Sequence, residues 1–517
     1  MFYVDTIDPE KVINYSIEAM LAQTDPYTEY YPEEDNTLKE MTSGKFGGIG
    51  SVIRYYTPRK RVAIIEPSEG SPAAEAGLQA GDIIMEINGK DMAQGDRTPN
   101  ELTSYVSDNL RGDPGTTCVL KLERPTADST YIPMELKITR GTIRTNPVPY
   151  YGMVDKNIGY IAISTFAIEG CSKDIKKALI ELKQQGATSI VLDLRGNGGG
   201  LLSEAVNVVN FFVPKGKEIV VTKGKIKQAG STYKTSNEPI DMEIPLTVLV
   251  DGATASAAEI VSGSLQDLDR AVIVGNRTYG KGLVQVPREL PYNSSMKVTT
   301  AKYYIPSGRC IQAIDYAKRN ADGSVARIPD SLTTVFHTAA GREVRDGGGI
   351  TPDLKVEMPE GNRLLYNIIR DNWSFDFANR YAATHATIPP AEQFEVTDTI
   401  FNEFKAFINP DKFKYDRTTD LIMEQLEKAV KTEGYLDTAV QAQMDTLKNL
   451  LRHDLNHDLD LNRKAISQYL AGEIVERYYS ERGGIIQALK TDIELDSAAA
   501  VLHSPERYRS ILAPAKH

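Results

Sequence analysis

Three residues of this chain could do chemistry together: Ser256, Lys281 and Gln285. A serine hydroxyl is a weak nucleophile and needs a base to take its proton. The commonest base is not at hand, because the first histidine of the chain is His337. Lys281 is the alternative. A free lysine titrates near ~10.4, so it accepts a proton around neutrality only where burial lowers that value. Gly280 and Gly282 flank it and allow a close backbone approach. Gln285 can orient the amine through a hydrogen bond. The set is a Ser-Lys variant of the hydrolase constellation, with serine as nucleophile and lysine as general base.

These residues need a rigid frame, and the sequence supplies one. Pro245–Asp251 is a short apolar run rich in β-branched residues, so it reads as a buried strand. Gly252-Ala253-Thr254-Ala255 follows as a turn of small residues that leaves room for a substrate backbone. After Ser256, the positions Ala257, Ile260, Val261, Ser264, Leu265 and Leu268 recur at helical spacing. Ser256 therefore stands at a helix start, where free N–H groups favour negative charge. Beyond Gly282 the chain alternates as a strand does, which predicts Lys281, Leu283 and Gln285 on one face and Val284 and Val286 on the other.

A second strand-loop-helix unit lies upstream. Ser189–Leu194 reads as a buried strand, Arg195-Gly196-Asn197-Gly198-Gly199-Gly200 as a loop, and Leu201–Phe211 as a helix. The loop offers bare N–H groups beside a helix start, as an oxyanion hole requires. Asp193 and Arg195 read as braces of that loop. With a strand over Ile158–Ile163 and a helix from about Cys171 to Gln185, the repeated units indicate an α/β core.

A third glycine-rich stretch, Phe46-Gly47-Gly48-Ile49-Gly50-Ser51, runs into a strand. Successive N–H groups in such a loop form an anion nest. A phosphate loop is excluded, because no Gly-Lys-Ser/Thr follows. Ser71-Pro72 to Gly77 has the residues of a short capped helix, and Gly81–Gly89 reads as a strand closed by an Asn-Gly turn. A second helix around Pro99–Leu110 and strands around Thr117–Glu123 and Met134–Thr139 complete a β-rich module with two helices.

Thr254-Ala255-Ser256-Ala257-Ala258-Glu259, then Gly280-Lys281-Gly282-Leu283-Val284-Gln285, resembles the C-terminal processing (tail-specific) serine peptidases. The glycine-loop module resembles the PDZ domains of bacterial proteases, with Gly-Ile-Gly-Ser where many have Gly-Leu-Gly-Phe. The resemblance runs over roughly residues 1–360. It implies that Ser256 is the nucleophile, Lys281 the base and Gln285 its support. It further implies that Ala257 and either Gly198 or Gly199 hold the oxyanion, and that Gly47, Gly48, Ile49 and Gly50 receive a substrate's C-terminal tail. The implied core is a crotonase- or Clp-like ββα fold. The implied partners are proteins with free C-terminal tails, an adaptor or activator protein, and a second copy of the chain in a homodimer. Export to the periplasm or cell envelope is also implied, with the targeting segment absent from this chain.

The expected organisation is an N-terminal helical segment over 1–42, a PDZ domain over 43–140, a peptidase core with a cap over 141–360, and a helical domain over 361–517. Val12, Ile13, Ile17, Met20 and Leu21 stripe the first helix, which either serves dimerisation or packs on its own core. Trp373 reads as the anchor of the last domain to the core. The length of 517 residues calls for several domains. With 41% apolar and 25% charged residues the chain is an ordinary globular one. Its net charge of −11 argues against nucleic acid, and no apolar run of about 18 residues predicts a membrane span. Cys118, Cys171 and Cys310 form neither a metal pattern nor a disulfide framework. His453 and His457 share a helix face that reads as solvated, and Asp454 to Asp460 lacks the glycine and closing glutamate of a calcium loop. No metal or cofactor is expected. Two rivals remain: an inactive scaffold that binds C-termini, and another Ser-Lys hydrolase. The latter class places lysine three residues after serine, where this chain has Glu259.

Overall fold

The computed structural model describes residues 4, 6–33, 45–128, 130–226, 228, 230–320, 322–359, 361–415, 417–451 and 454–514. They form two compact units, each assembled from separate stretches of chain. One contains residues 1–45, 144–358 and 492–517, the other residues 46–143 and 359–491. The expected boundary at 42/43 falls outside the described residues, as does His453.

The first unit is built on a six-stranded sheet in the order Tyr151–Met153, Ile158–Ala162, Ser189–Asp193, Leu246–Val250, Val272–Gly275, Leu354–Lys355. The first pair is antiparallel and the rest are parallel. Ser189–Asp193, Leu246–Val250 and Val272–Gly275 are buried along their whole lengths, which is why they read as unbroken apolar runs. Helices Cys171–Gln184, Leu202–Val209 and Ala257–Asp267 add Ile175, Leu179, Val208, Ile260 and Leu265 to the same core. Strands Ser189–Asp193 and Leu246–Val250 are neighbours, so the loops after their carboxyl ends lie side by side. That is the position where open α/β sheets bind ligands.

A second sheet, all antiparallel, borders this one within the unit. Its long strand Ser295–Tyr304 pairs along one edge with Leu283–Glu289 and along the other with Glu29–Tyr31 and Glu218–Gly224. The region 215–241 thus supplies two strands, Glu218–Gly224 and Ser231–Lys234. The polar stretch 315–330 forms much of a hairpin, Ile314–Arg319 with Val325–Arg327. Lys281 precedes the strand expected to carry it, which begins at Leu283. A register shift falls between Val284 and Gln285, and the extra residue there is Thr300 of the partner strand Ser295–Tyr304.

The helices expected as one block over 361–517 divide between the units. Ile493–Leu502 and Pro505–Leu512 belong with the α/β core. The Tyr508 hydroxyl accepts from the Leu246 N–H at 3.1 Å and donates to the Arg270 carbonyl at 3.2 Å. Helices Arg363–Arg370, Trp373–Thr384, Asp398–Phe407, Leu455–Leu461 and Arg463–Leu489 build a cluster around Phe377, Phe401, Phe404, Leu470 and Ile474. Trp373 packs edge-on against Phe407 and Phe413 inside this cluster. Phe375, two residues later, is the aromatic that joins Tyr56, Ala63 and Ile83 of the neighbouring sheet.

That sheet has the order Ser51–Tyr56, Arg61–Pro67, Ile83–Ile87, Thr117–Pro125, Tyr131–Thr139 and is antiparallel throughout. Helix Pro99–Leu110 begins with a reciprocal cap between Thr98 and Glu101 and buries Leu102, Val106 and Leu110. Asp454 caps helix Leu455–Leu461 through the His457 N–H at 2.9 Å, so this acidic run is helical rather than an ion-binding loop. His457 is exposed. Among the described residues no helix is long and apolar enough to cross a membrane.

Candidate active site

The turn before Ser256 is fixed by its own side chains. Asp251 accepts from the N–H groups of Ala253 and Thr254 at 3.0 and 2.9 Å, and also from that of Gly196 at 3.1 Å. Thr254 donates its hydroxyl to the Leu194 carbonyl at 2.8 Å, and the Ala255 N–H donates to the Asn197 carbonyl at 2.9 Å. The turn and the upstream glycine loop are therefore stitched together. At the end of the stitch sits Ser256 with φ 55° and ψ −116°, a strained backbone for an L residue. Such strain costs roughly 1–3 kcal/mol and persists only where the surroundings impose it.

The glycine loop is braced from inside. Asn197 is fully buried. Its amide nitrogen donates to the Ile163 carbonyl at 2.8 Å, and its oxygen accepts the Gly199 N–H at 2.9 Å. Gly199 has φ +99°, and a β-carbon there would lie 2.7 Å from both the Ala255 carbonyl and the Ser256 β-carbon. The N–H groups of Gly198 and Ala257 make no hydrogen bond among the described residues. Arg195 pairs with Asp193 beside it and with Asp492 and Glu494 at 2.6 and 2.8 Å. Tyr160 also donates to Asp193, at 2.6 Å. Asp193 and Arg195 thus hold the loop from behind, as the sequence suggests.

Glu259 joins the serine turn to the lysine loop. Its side chain is fully buried. Its carboxylate accepts the N–H groups of Ser256, Gly280 and Lys281, each at 2.8 Å, and the Thr278 hydroxyl at 2.5 Å. Burial pushes this carboxyl up to about 7, against the pull of those bonds. The sequence places Glu259 in the serine motif but gives it no role of its own. The signal was available, because Ser-x-x-Glu ahead of an apolar run is a capping-box spacing. The hydroxyl of Tyr303 lies against the carbonyl oxygens of Ser256 and Lys281 and ties the same two segments.

Ser256, Ala257, Gly198, Gly199, Lys281 and Gln285 line one cleft of about 460 Å³, with apolar walls from Leu201, Ile260, Leu283 and Pro287. Burial, then the charge of Lys297, lowers the Lys281 ammonium from its ordinary value. No hydrogen bond joins Ser256 Oγ and Lys281 Nζ among the described residues. The amine lies 4.1 Å from the centre of the Tyr27 ring. Gln285 donates its amide N–H to Thr299 Oγ1 at 3.0 Å, which leaves its amide oxygen as an acceptor.

Gly47, Gly48, Ile49 and Gly50 stand in the other unit. Helix Pro72–Glu75 holds this loop by its carbonyls. Ala73 N–H donates to Ile49 at 2.8 Å, and the Ser71 hydroxyl donates to Gly50 at 2.8 Å. The N–H groups of Ile49 and Gly50 have no partner among the described residues. Strand Ser51–Tyr56, which follows, is the edge of its sheet beside helix Pro99–Leu110.

Comparison with known proteins agrees with both halves of this picture. Residues 157–318 match the model of peptidase family S41, residues 64–124 a PDZ domain, and residues 364–502 the C-terminal helical domain of a probable PDZ-protease. A carboxy-terminal-processing protease of Bartonella bacilliformis is 37% identical over 364 residues, covering 69% of this chain and 72% of that protein. The carboxy-terminal processing protease CtpA of Bacillus subtilis is 33% identical over 450 residues, covering 86% and 87%. A probable CtpA-like serine protease of Staphylococcus aureus is 34% identical, covering 85% and 81%. The chain belongs to peptidase family S41, among the carboxy-terminal processing serine proteases that carry a PDZ domain.

Proposed function

We propose that the protein is an endopeptidase that recognises a substrate's C-terminal tail at Gly47–Gly50 and cleaves with Ser256, Lys281 and Gln285. The observation that carries the reading is the cleft. It brings Ser256, on a strained turn at a helix start, together with the half-buried Lys281 and the unpartnered N–H groups of Gly198 and Ala257. The tail's carboxylate meets the N–H groups of the Ile49 loop, and its backbone adds a strand to the open edge Ser51–Tyr56.

In the chemical step Lys281 Nζ, unprotonated, takes the proton from Ser256 Oγ as that oxygen bonds to the peptide carbonyl carbon. The carbonyl electrons move onto oxygen, where the N–H groups of Gly198 and Ala257 receive the charge. Gly199 is the poorer donor of the two candidate glycines, because Asn197 already accepts its N–H. The tetrahedral carbon then expels the amine, which takes the proton back from Lys281. An acyl ester on Ser256 remains. Water, losing a proton to Lys281, attacks the ester carbon, and the bond to Ser256 Oγ breaks as that oxygen takes the proton back from Lys281, freeing the second product. The steps call for side chains and backbone alone.

The same resemblance supports export and an activating partner. The first helix supports a homodimer. Pro9–Leu21 buries no residue within the chain and exposes Val12, Ile13 and Met20, an apolar face suited to the same helix of a second copy.

The test is cleavage of an unstructured protein ending in a small apolar tail, beside the same protein ending in charged residues. Tail-dependent cleavage, abolished in Ser256→Ala and Lys281→Ala, is the expected result. If the wild type binds the tail and never cuts, even with candidate partners added, the inactive-scaffold reading replaces this one.

A further inference from the structure

The reaction scheme leaves one neighbour of the lysine unused. The segment Asp25-Pro26-Tyr27-Thr28 lies more than two hundred residues upstream of Lys281, yet it forms part of the wall behind it. Strand Glu29–Tyr31 anchors the segment by pairing with Ser295–Lys297. Asp25, which is buried, holds the turn by accepting the N–H groups of Tyr27 and Thr28 at 2.8 and 2.9 Å and the Thr28 hydroxyl at 3.1 Å. Two contacts then reach the catalytic candidates. The ring of Tyr27 lies 4.1 Å from the Lys281 amine. Thr28 Oγ1 accepts the Thr299 N–H at 3.2 Å, while the Thr299 hydroxyl accepts from Gln285. The Tyr27 ring is in turn set edge-on against Tyr316, and its hydroxyl contacts those of Tyr316 and Tyr279 at 3.3 and 3.4 Å.

We infer that the Asp25–Thr28 turn is a positioning element of the catalytic apparatus. Tyr27 holds the Lys281 amine against an aromatic face and out of water, and Thr28 sets Gln285 through Thr299. The inference rests on the Ser256–Lys281 reading above. An aromatic face attracts the ammonium, and the same ring excludes the water that would otherwise solvate it. Burial is the leading cause of the lowered lysine value, so removing the ring lets water in and raises that value. The other groups facing the amine come from several elements. Asp25 and Glu29 belong to the same N-terminal segment, Lys297 to strand Ser295–Tyr304, and Glu259 to helix Ala257–Asp267. Lys297 is itself paired with Glu29 at 2.8 Å, and Glu259 is held by the N–H groups of Ser256, Gly280 and Lys281.

The experiment is the pH dependence of kcat/KM, from about pH 5 to 10, for the wild type, Tyr27→Phe, Tyr27→Ala and Tyr27→Gln, with Lys281→Ala as control. Gln keeps bulk and replaces the ring by a group that solvates charge, so it serves if the alanine variant does not fold. Tyr27→Phe keeps the face and is expected to retain the wild-type limb. Tyr27→Ala and Tyr27→Gln are expected to move the acid limb upward by about one pH unit and to lower kcat/KM at neutral pH by about tenfold. A role in structure alone would lower the rate evenly across pH. An unmoved limb in the Ala and Gln variants, or a Phe variant as damaged as they are, overturns the inference. Full activity in Lys281→Ala would instead overturn the reading on which it rests.

Discussion

The two units each carry a glycine-rich loop that offers backbone N–H groups, and the two loops are held in opposite ways. Arg195–Gly200 is fixed on every side. Asn197 fills it, Asp251 and Ala255 stitch it to the serine turn, and Arg195 ties it to Asp193, Asp492 and Glu494. Phe46–Gly50 is held at its start, where strand Lys45–Gly48 pairs with Gly141–Arg144, and through its carbonyls, which accept from Gly112, Ser68, Ser71 and Ala73, while the strand after it is left open along one edge. Charge that appears for an instant in a transition state is stabilised best by donors that cannot relax. A ligand that arrives as a strand needs donors that are free and an edge that is unpaired. The same residue type serves both ends, and the surrounding side chains decide which.

The sharpest way to break the comparison is to fill each loop with one methyl group. Gly199→Ala places a β-carbon 2.7 Å from Ser256 and the Ala255 carbonyl, at a φ of +99°. We expect kcat to fall by about 10³-fold, with tail affinity unchanged when measured by fluorescence anisotropy on an isolated tail peptide. Protonation separates the loops next. As the proposed base Lys281 acts unprotonated, so activity is expected to rise with pH through its lowered value. Glu259, raised to about 7, keeps all its acceptor sites only when ionised. Both effects remove activity in acid, and kcat/KM should fall by at least about tenfold per pH unit on the acid side. Tail binding uses backbone N–H groups and should stay flat over the same range. Stability runs the other way for Glu259. A raised carboxyl in the fold takes up a proton on folding, so its contribution is present in acid and is lost as pH rises through about 7. Melting temperatures of the wild type and Glu259→Gln across that range check the sign.

Gly50→Ala is the matching change in the open loop. Its β-carbon would sit 2.5 Å from that of Ser71, at a φ of +75°. We expect KM for a tailed substrate to rise by about tenfold and turnover of a short untailed peptide to be unaffected. The mildest change is Ser71→Ala, which removes both a helix cap and the bond to the Gly50 carbonyl. It should cost about 1 kcal/mol of stability and a few-fold in tail affinity. Equal losses in both assays for either variant would mean that the loops are not separable.

The buried strands, the serine turn and both glycine loops were legible because each is encoded locally, in runs of a few residues. Ser256, Lys281 and Gln285 could be grouped for the same reason. Glu259 was harder, since a glutamate on a helix ordinarily faces water and only its spacing from Ser256 hints otherwise. The bulge at Thr300, opposite Gln285, left no mark, because an extra residue in a strand changes no residue type. Tyr27 and Asp492 were out of reach. Their partners, Lys281 and Arg195, are hundreds of residues away, and no local pattern names a contact of that span.

The pairing of Arg195 with Asp492 and Glu494 has a consequence for synthesis. The serine turn and the lysine loop are made well before Asp492 and Glu494. Until those carboxylates exist, Arg195 has only Asp193 of its three acidic partners, and the glycine loop lacks its rear support. A nascent chain therefore carries Ser256, Lys281 and Gln285 before the brace behind the glycine loop is in place.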